Sequence, residues 1–255
     1  MSRFEEDALS CDAFLGGRLR IWQPRAGYRA GIDPVMLAAA VPARPGQSVL
    51  ELGCGAGTAS LCLAARVPDL MLTGVELQAE YAALAERNAR DNVKPLEVVE
   101  ADLAQLPAEL RQRRFDHVLM NPPYYRAGAH SSARDAGRQV ALGEITPLSL
   151  WVEVAARRLV PKGYLHVIQN AERLPDLLIA AEGRLGSVEV LPLAAREGRE
   201  AERVILRMRK GGRAAFRLHA PLILHEGAVH QRDGESYRAE IDGILRKAAE
   251  LVWPA

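Results

Sequence analysis

Cysteine, lysine, aromatic side chains and net charge are all in short supply in this chain. Three cysteines (Cys11, Cys54, Cys62) among 255 residues allow no full pairing and show no metal-ligand spacing. A disulfide framework is therefore excluded, and reduced thiols in a cytoplasmic protein are expected. A formal net charge of +1 excludes a globally basic nucleic-acid binder but permits a local basic patch. No stretch approaches the roughly 20 apolar residues of a membrane span. The opening Met1-Ser2-Arg3-Phe4-Glu5-Glu6-Asp7 is acidic and lacks an apolar core, so it does not read as a signal peptide. Internal repeats, low-complexity tracts and clear linkers are absent too. What remains is ordinary for a soluble domain, with 49% hydrophobic and 25% charged residues, and the chain is long enough to bury one large core.

From Ser48 onward strand and helix patterns alternate. Ser48–Leu52, Leu70–Val75, Leu96–Val99, Phe115–Met120 and Tyr164–Ile168 read as strands. Helices are expected near Thr58–Arg66, Gln78–Asp91, from Thr146-Pro147 through Trp151 to Leu159, and near Ala171–Leu185. Val188–Leu193 and Val204–Met208 follow without a helix between them, so they should pair as an antiparallel hairpin at the sheet edge. Short continuous apolar strands separated by helices imply a parallel sheet covered on both faces. The expectation is an α/β fold: a doubly wound, seven-stranded, mostly parallel sheet ending in that hairpin. Small additions flank it. Residues 1–46 hold a strand-like Leu19–Trp22 and a helix with Asp33 as N-cap and Pro34 at its first position. Residues 47–210 form the central domain, and 211–255 extend it with a strand, Leu218–Leu224, and a helix near Ser236–Leu251.

Two turns carry chemistry. The first strand opens into Glu51-Leu52-Gly53-Cys54-Gly55-Ala56-Gly57. Glycines at a strand-to-helix turn supply positive φ and let a nucleotide cofactor approach the backbone where a Cβ would block it. Two acids support that reading. Glu76 ends the second strand, where a carboxylate can accept from both ribose hydroxyls. Asp102 ends the third (Val98-Val99-Glu100-Ala101-Asp102), where an adenine amino group needs an acceptor, with Glu100 as its rival. A nicotinamide site would need a third glycine at Thr58 or Ser60, so the dinucleotide fingerprint fails.

The second turn, Asn121-Pro122-Pro123-Tyr124, stands directly behind Phe115–Met120. An exocyclic amine or amide nitrogen has its lone pair conjugated into a π system. Acceptors gripping both N–H bonds favour a pyramidal nitrogen and stabilise the positive charge that grows on it during alkylation. Asn121 offers a side-chain carbonyl and Pro122 its backbone carbonyl. The prolines stiffen the turn, and Tyr124 offers an aromatic face to a planar group.

With both motifs in this order, the chain resembles the class I S-adenosylmethionine (SAM)-dependent methyltransferases of the Asn-Pro-Pro-Tyr type. The N-terminal Phe14-Leu15-Gly16-Gly17-Arg18-Leu19, the stretch Gln23-Pro24-Arg25-Ala26-Gly27-Tyr28-Arg29-Ala30-Gly31-Ile32-Asp33 and the ending Pro221-Leu222-Ile223-Leu224-His225 resemble the bacterial tRNA1(Val) adenine-N6-methyltransferase family over nearly the whole chain. The resemblance implies SAM as cofactor, held by Glu51, Gly53, Gly55, Gly57, Glu76, Asp102 and Asn121, with Asn121, Pro122 and Tyr124 at the reacting nitrogen. It places Glu51 at the methionine end, which Arg29, Gly31 and Asp33 could also reach. The first reading of the substrate is adenine N6 in tRNA. A protein glutamine amide, guanine N2 of rRNA, and a non-enzymatic RNA-binding module stay open, as does the choice between monomer and homodimer.

Residues 196–217 concentrate Arg196, Arg199, Arg203, Arg207, Arg209, Lys210, Arg213 and Arg217, a stretch suited to phosphates. The long connection after Tyr124, with Tyr125, Arg126, His130, Arg134 and Arg138, is of a length typical of substrate lids. His225 and His230 imitate a zinc-protease motif but stand five apart, off one helical face, so no metal is assigned. Cys54 reads as a small filler in the glycine turn.

Overall fold

The computed structural model describes residues 4–123, 146–227 and 236–254. Two strands, β1 (Leu9–Phe14) and β2 (Leu19–Pro24), form an antiparallel hairpin, and α1 (Asp33–Ala39) follows. The alternating part comprises β3 (Ser48–Leu52), α2 (Thr58–Arg66), β4 (Met71–Glu76), α3 (Ala79–Asp91), β5 (Glu97–Glu100), α4 (Ala108–Gln112) and β6 (Phe115–Met120). Then come α5 (Leu148–Arg158), β7 (Leu159–Asn170), α6 (Leu174–Ala181), β8 (Gly186–Ala194) and β9 (Ala201–Arg209). The two-residue strands β10 (Arg217–Leu218) and β11 (Leu222–Ile223) and a last helix, α7 (Ala239–Lys247), close the chain.

The main sheet runs β10-β8-β9-β7-β6-β3-β4-β5, with β11 also on β8. Strands β3 to β7 are parallel, and β9 lies antiparallel between β7 and β8. The expected seven strands form its body. The expected hairpin is present, but β8 is extended by β10 and β11 in parallel, which brings the sheet to nine strands. The single strand expected over Leu218–Leu224 divides because Pro221 has no N–H to give the ladder.

Other boundaries shift for local reasons. Asp33 is the first helical residue of α1 rather than its cap; Ile32 holds that position, and the Asp33 carboxylate lies 3.2 Å from Arg203. Helix α6 stops at Ala181, ahead of Gly183 at φ +70°, and α7 stops at Ala248 in the left-handed region. Strand β1 was not expected from the sequence.

Each face of the sheet buries its own apolar layer. One joins Leu50, Leu52, Phe115, Val118 and Met120 to α5 and α6. The other gathers α1, α2, α3, α7 and the β1–β2 hairpin, including Leu19, Ile21, Met36, Leu37 and Ile241. Asn88 on α3 fastens that hairpin: it accepts from Trp22 N at 2.8 Å and donates to Trp22 O and to Ala56 O in the glycine turn.

Strand order reverses about β3, which has β4 on one side and β6 on the other. Leu52 pairs with Val75 and with Met120. The turns after β3, β4 and β6 therefore open side by side at the carboxyl edge of the sheet, where ligands bind in open α/β folds.

Candidate active site

The cavity at this edge is lined by residues from each of those turns, Gly53 to Ala56, Glu76 to Gln78 and Asn121 to Pro123, and by Ala101 to Leu103 after β5. Tyr28, Tyr81 and Trp151 supply its aromatic walls.

Gly53, Gly55 and Gly57 all have positive φ (+64°, +54° and +81°). At Gly55 a Cβ would meet only the Tyr28 ring, at 3.7 Å, so the backbone there faces open space. At Gly53 a Cβ would lie 2.4 Å from the Trp151 ring. The turn is held from below: Cys54 N donates to Val75 O, and Gly55 N donates to Glu76 Oε2 at 2.8 Å. Glu76 Oε1 accepts from Gln78 N at 2.9 Å. Burial raises the Glu76 carboxyl above the usual range against these backbone hydrogen bonds. Cys54 is buried, its thiol is pushed well up by desolvation, and its Sγ fills the space beside Gly74. That fits a filler.

Glu51 is buried under the turn. Its Oε2 accepts from Ser60 Oγ at 2.5 Å and from Ser60 N at 3.0 Å. Desolvation outweighs those bonds and raises its carboxyl to about 7. Asp102 lines the cavity while accepting from Ala104 N at 2.8 Å, whereas Glu100 is exposed and lies outside the lining. Arg29, Gly31 and Asp33 are not in the lining either. Arg29 turns away to Asp12, Ser10 and the Pro24 carbonyl, and Asp33 to Arg203. Their neighbours Tyr28, Ala30 and Pro34 line the cavity instead.

At the second turn, Asn121 Nδ2 donates to the Tyr28 hydroxyl at 3.4 Å, and Asn121 Oδ1 is buried with no hydrogen-bond partner among the described residues. The Pro122 carbonyl accepts from Gln169 Nε2 at 3.1 Å. Tyr124, and with it Tyr125, Arg126, His130, Arg134 and Arg138, lies outside the described residues. Tyr81, Trp151, Ser60 and Gln169 carried no functional motif in the sequence. Tyr28 stood inside the Gln23 to Asp33 stretch that carries the family resemblance, but without a role of its own.

Both turns fall within the segment that a family model matches. Residues 32–191 match the methyltransferase small domain. The chain belongs to that family. A relative from Porphyromonas gingivalis, named tRNA1(Val) (adenine(37)-N6)-methyltransferase, is 32% identical over 216 residues, covering 81% of this chain and 84% of its own. One of the same name from Dickeya chrysanthemi is 26% identical over 243 residues, 94% of each chain. A crystal structure of a predicted O-methyltransferase from Agrobacterium tumefaciens superposes with a TM-score of 0.70 at 27% identity, covering 86% of this chain and 98% of that one. A T. thermophilus 16S rRNA N2 methyltransferase, solved with AdoMet and guanosine, shares the fold: TM-score 0.55, 22% identity, 79% of this chain and 50% of that one.

The cofactor of this methyltransferase family is SAM, and the groups present fit it. The open backbone at Gly55 admits a nucleoside. Glu51, Glu76 and Asp102 all line the cavity; we propose that Glu76 would accept from the ribose hydroxyls, Asp102 from the adenine amino group and Glu51 from the cationic methionine end.

The arginine-rich hairpin is largely committed to the fold. Arg207 pairs with Glu189 at 2.8 Å and stacks on Trp253, Arg203 meets Asp33, and Lys210 donates to the Leu159 carbonyl. Arg199, Arg213 and Arg217 remain exposed. Among the described residues no cluster of metal-ligating side chains occurs, and no helix is long and apolar enough to cross a membrane. His225 forms an isolated bridge with Tyr237, and His230 lies outside the described residues.

Proposed function

We propose that the protein is a cytoplasmic SAM-dependent N-methyltransferase that modifies an exocyclic amine, adenine N6 in tRNA. One observation carries the reaction type: Asn121 Oδ1, a buried acceptor without a partner among the described residues, beside the Pro122 carbonyl at the end of β6. When bound, SAM supplies a methyl group already activated by its sulfonium. The chain has to present a nitrogen in line and accept its two N–H bonds as charge develops there. Two carbonyl oxygens do this without acting as bases, and the methylated cation then loses its proton to solvent.

An oxygen acceptor would need a base for its hydroxyl proton. Among the described lining residues no histidine occurs, and the three carboxylates, Glu51, Glu76 and Asp102, are the groups proposed to hold SAM. Nitrogen is therefore favoured over the chemistry named for the Agrobacterium neighbour. The tRNA substrate follows the names of relatives that match this chain over most of its length.

Mass spectrometry of tRNA nucleosides from cells with and without the gene tests the substrate. Loss of N6-methyladenosine on deletion is expected, and an unchanged nucleoside profile removes tRNA. Purified protein offered tRNA, rRNA fragments and glutamine peptides with labelled SAM separates the alternatives. Asn121→Ala should keep SAM binding largely intact and turn over more slowly by about a hundredfold or more.

A further inference from the structure

Gln169 stands near the end of β7, two residues beyond Val167, the partner of Met120 on β6. It is fully buried. Its Oε1 accepts from Asn170 N at 2.8 Å, which fixes the orientation of the amide and leaves Nε2 facing the second turn. There Nε2 donates to the Pro122 carbonyl at 3.1 Å and reaches the Pro123 carbonyl at 3.5 Å. Neither Pro122 nor Pro123 has an N–H, so the turn lacks backbone donors at both positions. Among the described residues, Gln169 is the donor that the Pro122 carbonyl meets.

We infer that Gln169 is the positioning residue that aims the Pro122 carbonyl at the methyl-accepting nitrogen. A carbonyl oxygen takes two hydrogen bonds. Gln169 occupies one and leaves the other for an amine N–H, so the acceptor is oriented before substrate arrives. This inference rests on the proposed amine methylation.

The test exploits the shape of glutamic acid. In Gln169→Glu a protonated carboxyl reproduces the amide, its carbonyl accepting from Asn170 N and its hydroxyl donating to Pro122 O. Ionised, it has only acceptors and repels the Pro122 carbonyl. Burial raises the pKa of such a carboxyl, so the two forms exchange within an accessible pH range. The ratio of kcat for Gln169→Glu to that of wild type should be near one at acidic pH and fall about tenfold per pH unit above that pKa. Gln169→Leu should be slower than wild type by about tenfold or more at every pH. SAM affinity by calorimetry should stay within about twofold in both variants, because no residue of the glycine turn is touched. A Gln169→Glu profile parallel to wild type, whether high or uniformly low, overturns the inference.

Should wild type methylate no amine at all, the proposed function fails rather than this contact. Crystal structures of Gln169→Glu at acidic and alkaline pH then decide the positioning role independently. A Pro122 carbonyl that moves between them supports it, and one that stays in place overturns it.

Discussion

The Tyr28 phenol touches both halves of the site: its hydroxyl accepts from Asn121 Nδ2 at 3.4 Å, and its ring lies 3.7 Å from where a Cβ on Gly55 would stand. The backbone of Tyr28 is clamped in turn by the Tyr81 hydroxyl, which accepts from Tyr28 N at 3.0 Å and donates to Tyr28 O at 3.1 Å. Burial, with Asp33 and Glu51 nearby, pushes the Tyr28 phenol up and keeps it neutral. The cofactor turn and the acceptor turn are thus joined through one side chain from outside the main sheet.

Tyr28→Phe keeps the ring and removes the hydroxyl. A hydrogen bond of this length contributes at the low end of the usual range, so kcat should fall about two- to threefold. SAM affinity should change by less than about twofold. Steady-state kinetics beside calorimetry separate the two quantities, and an unaltered kcat would show that Asn121 is held by other means.

Two glycines of one turn should respond oppositely to alanine. In Gly55→Ala the added Cβ enters the cavity, and the left-handed backbone costs about 1–2 kcal/mol. SAM binding should drop sharply while the fold survives. In Gly53→Ala the Cβ drives into Trp151 at 2.4 Å. Overpacking adds about 1–3 kcal/mol to the backbone cost, so urea denaturation should register most of the damage. Equal stability of the two variants would contradict the geometry.

Glu51 makes the cofactor site sensitive to pH. Its carboxyl lies at about 7, against 4.5 for an unperturbed glutamate. Between these values the folded state holds a proton that the unfolded state has lost, so stability falls as pH rises from 4.5 to about 7, by about 3 kcal/mol in total. A cationic amino group beside Glu51 favours its ionised form. SAM affinity should therefore climb with pH up to about 7 and then level off, while Glu51→Gln flattens both trends. Denaturation and calorimetry across this range check the slopes. A wild-type affinity that ignores pH would move the methionine end away from Glu51.

The two turns were legible in the sequence because each is a contiguous string at a strand end, where glycine, proline and carboxylate types follow from backbone geometry. The parallel core was legible because its strands are short apolar runs. What holds the site together was not. Tyr28 lies 93 positions from Asn121, and Gln169 lies 47 from Pro122. Such partners meet only because β6 and β7 are neighbours and the N-terminal segment folds back over the carboxyl edge. The pairing within the arginine-rich hairpin was not legible for a related reason: composition marks charge but not its partners, and Glu189, 18 positions from Arg207, takes up the charge of that one residue across the β8–β9 pair.

That hairpin yields the last prediction. Arg207 is held by Glu189 at 2.8 Å, stacked on Trp253, and only 21% exposed at its side chain. Replacing it with methionine leaves Glu189 beside His219 without its guanidinium partner, so the melting temperature should fall. The salt dependence of RNA binding should not change, because a paired guanidinium releases no counterion from phosphate. Arg199 is different. It is exposed in the turn between β8 and β9, at the same edge of the sheet as the cavity. If it contacts a phosphate, Arg199→Ala should lower the slope of log K against log salt by roughly 0.7–0.9 with no loss of stability. Filter binding of tRNA over a salt series, beside thermal melts, reads both variants. A reduced slope in Arg207→Met would mean that the Glu189 pair opens for RNA. An unchanged slope in Arg199→Ala would send the search for phosphate contacts to the segment beyond Pro123, where Arg126, Arg134 and Arg138 stand in the sequence.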